Sequence, residues 1–201
     1  MKQKILLRFS VLCLMLFLLC TASCFAEEAT APNGNDDTSS MPDFTDMTAY
    51  GLEAEDPSFI RFSLSETLEF VQAKGTGLLL FTADWCPFCQ YAVPLLDEAL
   101  KSAEYTAYLI DADDVDHEAE AEVYEELCAY LEAYLEPHED GEVLDIPEVI
   151  AVKDGEIVGH HYALLSTFRT PQVRAGEEMT AEQKDELVDY YAELIRLIET
   201  P

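Results

Sequence analysis

Alternating stretches of apolar and polar residues predict a regular order of strands and helices from about residue 58 onward. Short apolar runs typical of buried strands occupy positions 59–62, 78–81, 105–110, 149–152 and 157–159. Apolar residues at helical spacing predict helices between 63 and 75, at 91–101, at 118–136 and from Thr180 onward. The resulting order, β-α-β-α-β-α-β-β-α, is that of a single α/β domain.

Two local signals support this order. Lys153-Asp154-Gly155-Glu156 stands between two apolar runs and predicts the turn of a β-hairpin. Thr180 with Gln183 three residues later predicts a capping box at the start of the last helix.

Residues 1–26 have the composition of a secretory signal. Lys2, Lys4 and Arg8 form a basic start, and an apolar run from Val11 to Cys20 follows. The run is short for a stable membrane span, and an uncleaved membrane anchor is the alternative. We therefore expect the domain to work outside the cytoplasm, where disulfides form and persist, either secreted or attached to the cell membrane.

Two positions are open for the end of the signal. Cleavage after Ala26 would use the small residues of Cys24-Phe25-Ala26. Alternatively, Ala22-Ser23-Cys24 resembles a bacterial lipobox, in which case a lipid on Cys24 would tether the chain to a membrane. Residues 27–57 are polar, acidic and poor in large apolar groups, so we expect a flexible linker ahead of a domain at 58–201.

Charge narrows the range of partners. The chain has a formal net charge of −30, and residues 27–201 keep eight Lys and Arg against 41 Asp and Glu, a net charge near −33. Nucleic acid and anionic membrane surfaces carry charge of the same sign, so we expect neither as a partner. Residues 111–145 alone hold fifteen acidic side chains and no Lys or Arg, which leaves cation buffering as a weak alternative function.

The spacing of the cysteines indicates a reactive site. Three of the six cysteines fall in the signal region, and Cys86, Cys89 and Cys128 remain. Two close cysteines and one distant one favour redox chemistry over a scaffold of disulfides. Cys128 falls on the apolar face of the helix predicted at 118–136, so we interpret it as a core residue.

Cys86-Pro87-Phe88-Cys89 stands at the predicted start of a helix, directly after a buried strand. Cys86 would be the N-cap, and Pro87 the first helical residue, where its missing N–H has no intrahelical partner to lose. Free N–H groups and partial positive charge at a helix start favour a thiolate, so we expect a depressed Cys86 pKa. Cys89, one turn later, would be better shielded and placed to resolve a mixed disulfide, and Trp85 would shield the attacking sulfur on one side.

Two other roles are open to a lone C-x-x-C pair. One is half of a zinc site, but zinc takes four ligands, and the further candidates are scattered singly at Cys128, His117, His138, His160 and His161. The other is a structural disulfide, which would close a very small ring and stabilise the fold little. We therefore expect no metal, and no cofactor beyond a redox-active Cys86–Cys89 disulfide.

The segment 78–89, Leu-Leu-Leu-Phe-Thr-Ala-Asp-Trp-Cys-Pro-Phe-Cys, resembles the active-site segment of the thioredoxin superfamily. The likeness continues at Pro94, in the place of the family's helix-kinking proline, and at 146–156, which resembles its cis-proline loop, strand and hairpin. It covers about residues 58–200. The resemblance implies a thioredoxin-like α/β fold, with a central mixed β-sheet flanked by helices and an acidic helical insertion before the cis-proline loop.

The resemblance also implies roles for individual residues. Pro147 should follow a cis peptide bond and pack beside the Cys86 sulfur, and the backbone of Ile146 should pair with an extended substrate segment. Pro87 and Phe88, between the cysteines, are expected to contact substrate. The family often has a buried Asp six residues before the first cysteine, where this chain has Leu80. Asp84 is expected to face solvent, so the group that serves as base at the resolving thiol stays open.

These features predict an extracytoplasmic, monomeric thiol–disulfide oxidoreductase. It would act on cysteine-containing exported proteins or peptides and exchange electrons with a redox partner protein. The chain also loosely resembles thioredoxin-like accessory proteins of Gram-positive bacteria, including those linked to bacteriocin maturation. The direction of exchange is open, because reduction potential varies with the dipeptide between the cysteines. The alternative function is a non-catalytic thioredoxin-like binding module, or an accessory lipoprotein, that holds a partner protein or peptide.

Overall fold

The computed structural model describes residues 45–54, 56–114, 119–138 and 141–200. The predicted signal region and its Cys24 lie outside these residues, as do both candidate ends of the signal. Among the described residues, no helix has the length and apolar character needed to cross a lipid bilayer.

Five strands of the described chain form one mixed sheet, and two form a separate hairpin. The strands are β1 (Phe59–Arg61), β2 (Gly77–Thr82), β3 (Ala107–Asp111), β4 (Glu136–His138), β5 (Gly141–Val143), β6 (Glu148–Lys153) and β7 (Glu156–Tyr162). The sheet has the order β1-β3-β2-β6-β7, with β1, β3 and β2 parallel and with β6 and β7 antiparallel to their neighbours. The predicted α/β class with a central mixed sheet is therefore confirmed.

Five α-helices accompany these strands in the described chain. They are α1 (Leu64–Gln72), α2 (Cys89–Ala103), α3 (Ala121–Leu131), α4 (Thr170–Ala175) and α5 (Ala181–Glu199). The capping box predicted at Thr180 and Gln183 is present, and α1 begins with a second one, formed by Ser63 and Glu66. These side chains accept hydrogen bonds from N–H groups that have no partner within the helix.

The two faces of the sheet bury different helices. Alternate residues of a strand point to opposite sides, so β2 sends Leu78 and Leu80 into the core with α2 and α5, which we call the α2/α5 face. Leu79 and Phe81 of the same strand lie in the core with α1 and α3, the α1/α3 face. All six residues of β2 are buried, as its continuous apolar run predicts.

The predicted hairpin joins β6 to β7. Its turn residues, Asp154 and Gly155, have φ values of 52° and 79°, the left-handed conformation that tight two-residue hairpin turns need. A side chain at Gly155 would also collide with the backbone, because a Cβ there would lie 2.7 Å from the carbonyl oxygen of Val71.

The acidic insertion is only partly as predicted. The helix expected over 118–136 is α3, which ends at Leu131 and passes into a 3₁₀ turn at Glu132–Tyr134. Residues 136–138 then pair with 141–143 as the hairpin β4–β5. Pro137 prevents a helix from continuing through the hairpin, because it has no N–H to donate, but it lies too far along the chain to account for the end at Leu131.

The packed region begins before the predicted boundary at residue 58. Met47 has no exposed surface, Tyr50 is 7% exposed, and both lie in the core of the α2/α5 face. Asp56 is fully buried and forms an ion pair with Lys101 of α2 at 2.8 Å. Residues 45–57, placed by the sequence in a flexible linker, therefore include an anchored part of the domain, because two isolated apolar side chains and one carboxylate find partners on α2 and β2.

Candidate functional site

Cys86 and Cys89 lie where β2 passes into α2. The regular helix begins at Cys89, three residues after the predicted N-cap. Cys86 nevertheless makes the hydrogen bonds of an N-cap residue. Its carbonyl oxygen accepts from the Gln90 N–H at 3.2 Å, and its Sγ accepts from the Cys89 N–H at 3.3 Å. The predicted start is therefore two residues too early, since Phe88 and not Cys86 precedes the regular helix, but the N–H donor expected at the attacking sulfur is present.

These contacts favour the thiolate of Cys86. The hydrogen bond from the Cys89 side chain lowers the Cys86 pKa most, burial opposes it, and the N–H groups of Cys89 and Phe88 lower it further, to about 6. Cys86 is then mainly a thiolate at neutral pH. The depressed pKa expected from the sequence has a clear structural cause, which is a set of donors aimed at one sulfur.

Cys89 has the opposite character. It has no exposed surface. The hydrogen bond with Cys86 raises its pKa, burial raises it further, and smaller contributions from the Thr82 side chain and the Ala83 N–H lower it. Cys89 is therefore protonated at neutral pH while its neighbour carries the charge. Neither cysteine is in a disulfide in this structure.

The loop before β6 closes the site from the other side. The Ile146–Pro147 peptide bond is cis, as the resemblance implied. The Cys86 Sγ lies 3.7 Å from the Ile146 carbonyl oxygen, within reach of a bond that a protonated thiol donates. Pro147 is buried, and its carbonyl oxygen accepts from the Ala163 N–H at 2.8 Å. Segments sixty residues apart in sequence thus meet at one sulfur.

The residues flanking the cysteines differ in exposure. Trp85 is 63% exposed. Its indole N–H donates a hydrogen bond to Asp113, in the acidic segment after β3, at 2.8 Å. Pro87 is exposed and Phe88 is half-buried. Phe88 borders a cavity of about 340 Å³ whose other lining residues include Tyr162, Leu164 and Phe168. The surface around Cys86 therefore combines an exposed indole, a proline and an aromatic cavity wall.

Two hydroxyl groups near Cys89 were not predicted from the sequence. Leu80 is fully buried, and Asp84 is exposed as expected. On the same side of β2 as Leu80, the buried Thr82 lowers the pKa of Cys89 through its side chain, and the Tyr50 hydroxyl lies 3.1 Å from the Thr82 Oγ1. In the sequence, Tyr50 is marked only by its spacing from Met47, three residues earlier in a polar stretch. A single pair of large side chains shows neither a helical nor a strand period, so it predicts no element.

The remaining candidates lie away from the dithiol. Cys128 is half-buried, hydrogen-bonds Tyr124 and borders an apolar cavity of about 180 Å³ on the α1/α3 face, so its surroundings are those of a core residue. His160 contacts the buried carboxylate of Glu148 at 2.7 Å, and His161 packs on Tyr190 and Tyr191. Within the described ranges, no group of three or more His, Cys, Asp or Glu side chains is arranged to hold a metal ion.

Comparison with known proteins gives similarity only to solved structures. No protein-family model matches the chain, and no curated protein matches it. A thioredoxin from Trypanosoma brucei brucei is 16% identical over 72% of this chain and 97% of its own, with a TM-score of 0.41. The oxidised thioredoxin of Plasmodium falciparum is 18% identical over 64% and 91%, with a TM-score of 0.36.

A mutant thioredoxin from Halobacterium salinarum gives a similar result, with 18% identity over 67% of this chain and 89% of its own and a TM-score of 0.38. These sequence identities and TM-scores are too low to support any statement about the chemistry of this chain. The sheet order, the dithiol at the end of β2 and the cis-proline beside it make the fold thioredoxin-like, and the arrangement fits a thiol redox function.

Proposed function

We propose that this protein is a thiol–disulfide oxidoreductase that exchanges disulfides in exported proteins. The observation that carries the proposal is the asymmetry of its two thiols. Cys86 accepts an N–H hydrogen bond at a helix start and lies beside the cis-proline loop, while Cys89 is fully buried one turn deeper. The Cys86 sulfur is activated as a nucleophile, and the Cys89 sulfur stays protonated and shielded until the second step.

The exchange takes two steps. The Cys86 thiolate attacks one sulfur of a substrate disulfide, so that a Cys86–substrate disulfide forms and the other substrate sulfur leaves as a thiolate. Cys89 then loses its proton and attacks the Cys86 sulfur, which forms the Cys86–Cys89 disulfide and releases the second substrate thiolate. The substrate gains two electrons and the protein loses two. The same steps in reverse oxidise a substrate dithiol.

The cis-proline loop and the residues around the dithiol form the proposed substrate-binding surface. An extended substrate segment would pair with the backbone of Ile146, as a strand adds to a sheet edge, and would bring its sulfur to Cys86. The exposed Trp85 and Pro87 and the cavity beside Phe88 would supply apolar contacts on either side. Such contacts hold the reacting sulfur atoms in line.

The signal-like residues 1–26 support a site of action outside the cytoplasm, and Cys24 is the proposed lipid attachment point if the chain is tethered. The working group is the Cys86–Cys89 disulfide, with no further cofactor. A redox partner protein would restore its starting state. The strong negative charge disfavours nucleic acid as a partner, and we propose that the protein acts as a monomer.

Turnover of single-cysteine variants tests the function. Reduction of insulin disulfides with a dithiol as electron donor should be lost in Cys86→Ser, because no nucleophile remains. Cys89→Ser should accumulate a mixed disulfide with substrate, visible as an added mass. Cys128→Ser is the matched control and should keep the wild-type rate, since Cys128 lies on the other face of the sheet. Unchanged turnover in Cys86→Ser would exclude the enzyme proposal.

A second candidate function, a binding module whose dithiol is not used, is favoured by the low exposure of Cys86, which is only 4%. Mass measurement separates the two functions. If the folded reduced protein becomes 2 Da lighter with a small oxidant and without denaturant, the dithiol is accessible as an enzyme requires. A mass that changes only after denaturation would favour the binding module.

A further inference from the structure

The resolving thiol needs a route for its proton. Cys89 has no exposed surface, and the residue six positions before Cys86 is Leu80, which has no group that accepts a proton. In the second step of the proposed exchange, Cys89 must nevertheless become a thiolate before or as it attacks Cys86. The described structure therefore has to supply another acceptor within reach of the Cys89 sulfur.

We propose that Thr82 and Tyr50 form this route, with Thr82 taking the Cys89 proton and Tyr50 passing it on toward a polar crevice at the surface. This inference rests on the proposed function and names the groups that serve its resolving step. Thr82 contacts the reacting sulfur and is a catalytic residue, whereas Tyr50 acts through Thr82 and is a positioning residue.

The geometry forms a continuous hydroxyl chain. Thr82 is fully buried, and its side chain lies close enough to Cys89 to lower the pKa of that thiol. The Thr82 Oγ1 lies 3.1 Å from the Tyr50 hydroxyl, which is also buried. A hydroxyl group can donate one hydrogen bond while it accepts another, so each member of the chain can receive a proton on one side and release one on the other. Buried polar groups joined in this way act as a unit.

The far end of the chain reaches a crevice of about 240 Å³. Tyr50 lines this crevice together with the carboxylates of Asp84 and Asp111 and the guanidinium of Arg61. Asp84 is exposed, and Asp111 is partly exposed and forms an ion pair with Arg61 at 3.1 Å. A carboxylate oxygen accepts hydrogen bonds, so these side chains can take up the proton transiently and pass it to the surrounding water.

Protons and electrons balance in the resolving step. The proton of Cys89 moves to the Thr82 oxygen as the Thr82 proton moves to the Tyr50 oxygen, and the Tyr50 proton passes to the crevice. The Cys89 sulfur attacks the Cys86 sulfur, the Cys86–Cys89 bond forms, and the bond from Cys86 to substrate breaks with its electron pair on the substrate thiolate. Both hydroxyl groups end the step protonated.

Other titratable groups also face Cys89. Cys86 contacts it directly, and the fully buried Tyr191 of α5 interacts electrostatically with Cys89 and with the buried carboxylate of Glu148. Asp84 and Asp111 face Tyr50. Tyr191 is the alternative phenol, and it supplies a matched control, because Tyr191→Phe removes a second buried hydroxyl beside Cys89 without touching the proposed route.

A disulfide reagent that releases a coloured thiolate in each step tests the route. Dithiobis-nitrobenzoate should release one nitrobenzenethiolate when Cys86 attacks and a second when Cys89 resolves, so stopped flow separates the two steps. The full chain is used with its four other cysteines replaced by Ser, namely Cys13, Cys20, Cys24 and Cys128. The variants are Thr82→Val, Thr82→Ser, Tyr50→Phe, Tyr191→Phe and the double variant Thr82→Val with Tyr50→Phe, which leaves no hydroxyl unpartnered.

We expect Thr82→Val and the double variant to slow the second release at least about tenfold at pH 7, with the first release within about twofold of wild type. Thr82→Ser should restore the second release, and Tyr50→Phe should slow it less than Thr82→Val. The rate of the second release should rise about tenfold per pH unit in Thr82→Val, because hydroxide must then remove the proton, but should change little in wild type near neutrality.

The two proposals fail in different ways. An unchanged second release in both Thr82→Val and the double variant, with a normal first release, would overturn the route and leave the oxidoreductase standing. A slowed second release in Tyr191→Phe but not in Tyr50→Phe would overturn it in favour of a path through α5. If the wild type gives no first release, the proposed function itself fails.

Discussion

The two faces of the central sheet differ in how completely their apolar side chains are buried. The α2/α5 face holds both thiols among fully buried side chains such as Leu78, Leu80 and Leu96. The α1/α3 face encloses an apolar cavity of about 180 Å³, and several of its lining residues, among them Tyr124 and Cys128, are only half-buried. The reactive pair therefore belongs to the face whose core residues are more completely buried, although the cavity of about 340 Å³ beside Phe88 opens at the edge of that face.

Helix length explains part of this difference. α2 and α5 have 15 and 19 residues, whereas α1 and α3 have 9 and 11. Longer amphipathic helices bury more apolar surface against the sheet, which stabilises their position. Exchange between two sulfur atoms needs the atoms held within a fraction of an ångström, so a firmly packed face is the suitable place for it.

Matched core truncations on the two faces should show the largest effect. Leu96 of α2 has no exposed surface, and Leu127 of α3 is 3% exposed and borders the cavity. We expect Leu96→Ala to lower the free energy of unfolding by about 4 kcal/mol and Leu127→Ala by about 2 kcal/mol, because Leu127 already has open space beside it. Urea unfolding measures both, and equal losses would contradict the difference in packing.

The ion pairs that hold the segment at 45–57 should give an intermediate effect. Lys101 of α2 contacts the carboxylates of Asp56 and Asp97, each at 2.8 Å, and both carboxylates are buried. Lys101→Met leaves two buried charges without their cation and should cost about 2 kcal/mol of unfolding free energy, since the lysine itself is half-exposed.

The matched control is Lys184→Met. Lys184 lies 3.9 Å from the exposed Glu178, a surface pair that should contribute close to nothing. If the Lys101 variant proves as stable as the Lys184 variant, Asp56 does not anchor the segment before β1 in the way described.

The smallest effect should appear only in acid. Burial and the neighbouring His160 lower the His161 pKa to about 4, and within the described residues the His161 Nε2 has no hydrogen-bond partner. The unfolded chain, with an ordinary histidine pKa of 6.5, binds this proton more readily than the folded one. The protein should therefore lose stability through His161 as pH falls from about 6.5 to 4.

His161→Phe removes that loss and keeps a ring against Tyr190 and Tyr191. We expect the variant to be more stable than wild type by about 1 kcal/mol at pH 5, relative to their difference at pH 7.5, which is about half of the full linkage value because the partly exposed ring is screened by solvent. Urea unfolding at the two pH values measures this change, and a pH-independent difference between variant and wild type would show that His161 titrates normally in the fold.

The elements with a strong local period were predictable from sequence. The apolar run of β2, the turn at Asp154–Gly155 and the capping box at Thr180 are each encoded within a few adjacent residues, and each is present. Cys86 followed from the C-x-x-C pair at a predicted helix start, whereas the cis bond before Pro147 followed from the family resemblance.

What the sequence did not show depends on contacts between distant segments. Met47 and Tyr50 have no periodic partners nearby and become core residues only because α2 and β2 lie against them. The hairpin β4–β5 was not predicted, because residues 136–141 were interpreted as the end of a helix and strands of three residues are too short to show a period. The Thr82–Tyr50 contact could not be predicted for the same reason, because it links a strand residue to a distant segment whose sequence resembled a linker.

The central claim, that Cys86 is a thiolate nucleophile in the folded protein, is tested most directly by its alkylation rate as a function of pH. The reduced full chain is pulsed with iodoacetamide at a series of pH values, and the peptide containing Cys86 is quantified by mass spectrometry. The account predicts a half-maximal rate near pH 6, the pKa set by the donors around the Cys86 sulfur. A half-maximal rate near pH 9, the value of an ordinary cysteine, would contradict it.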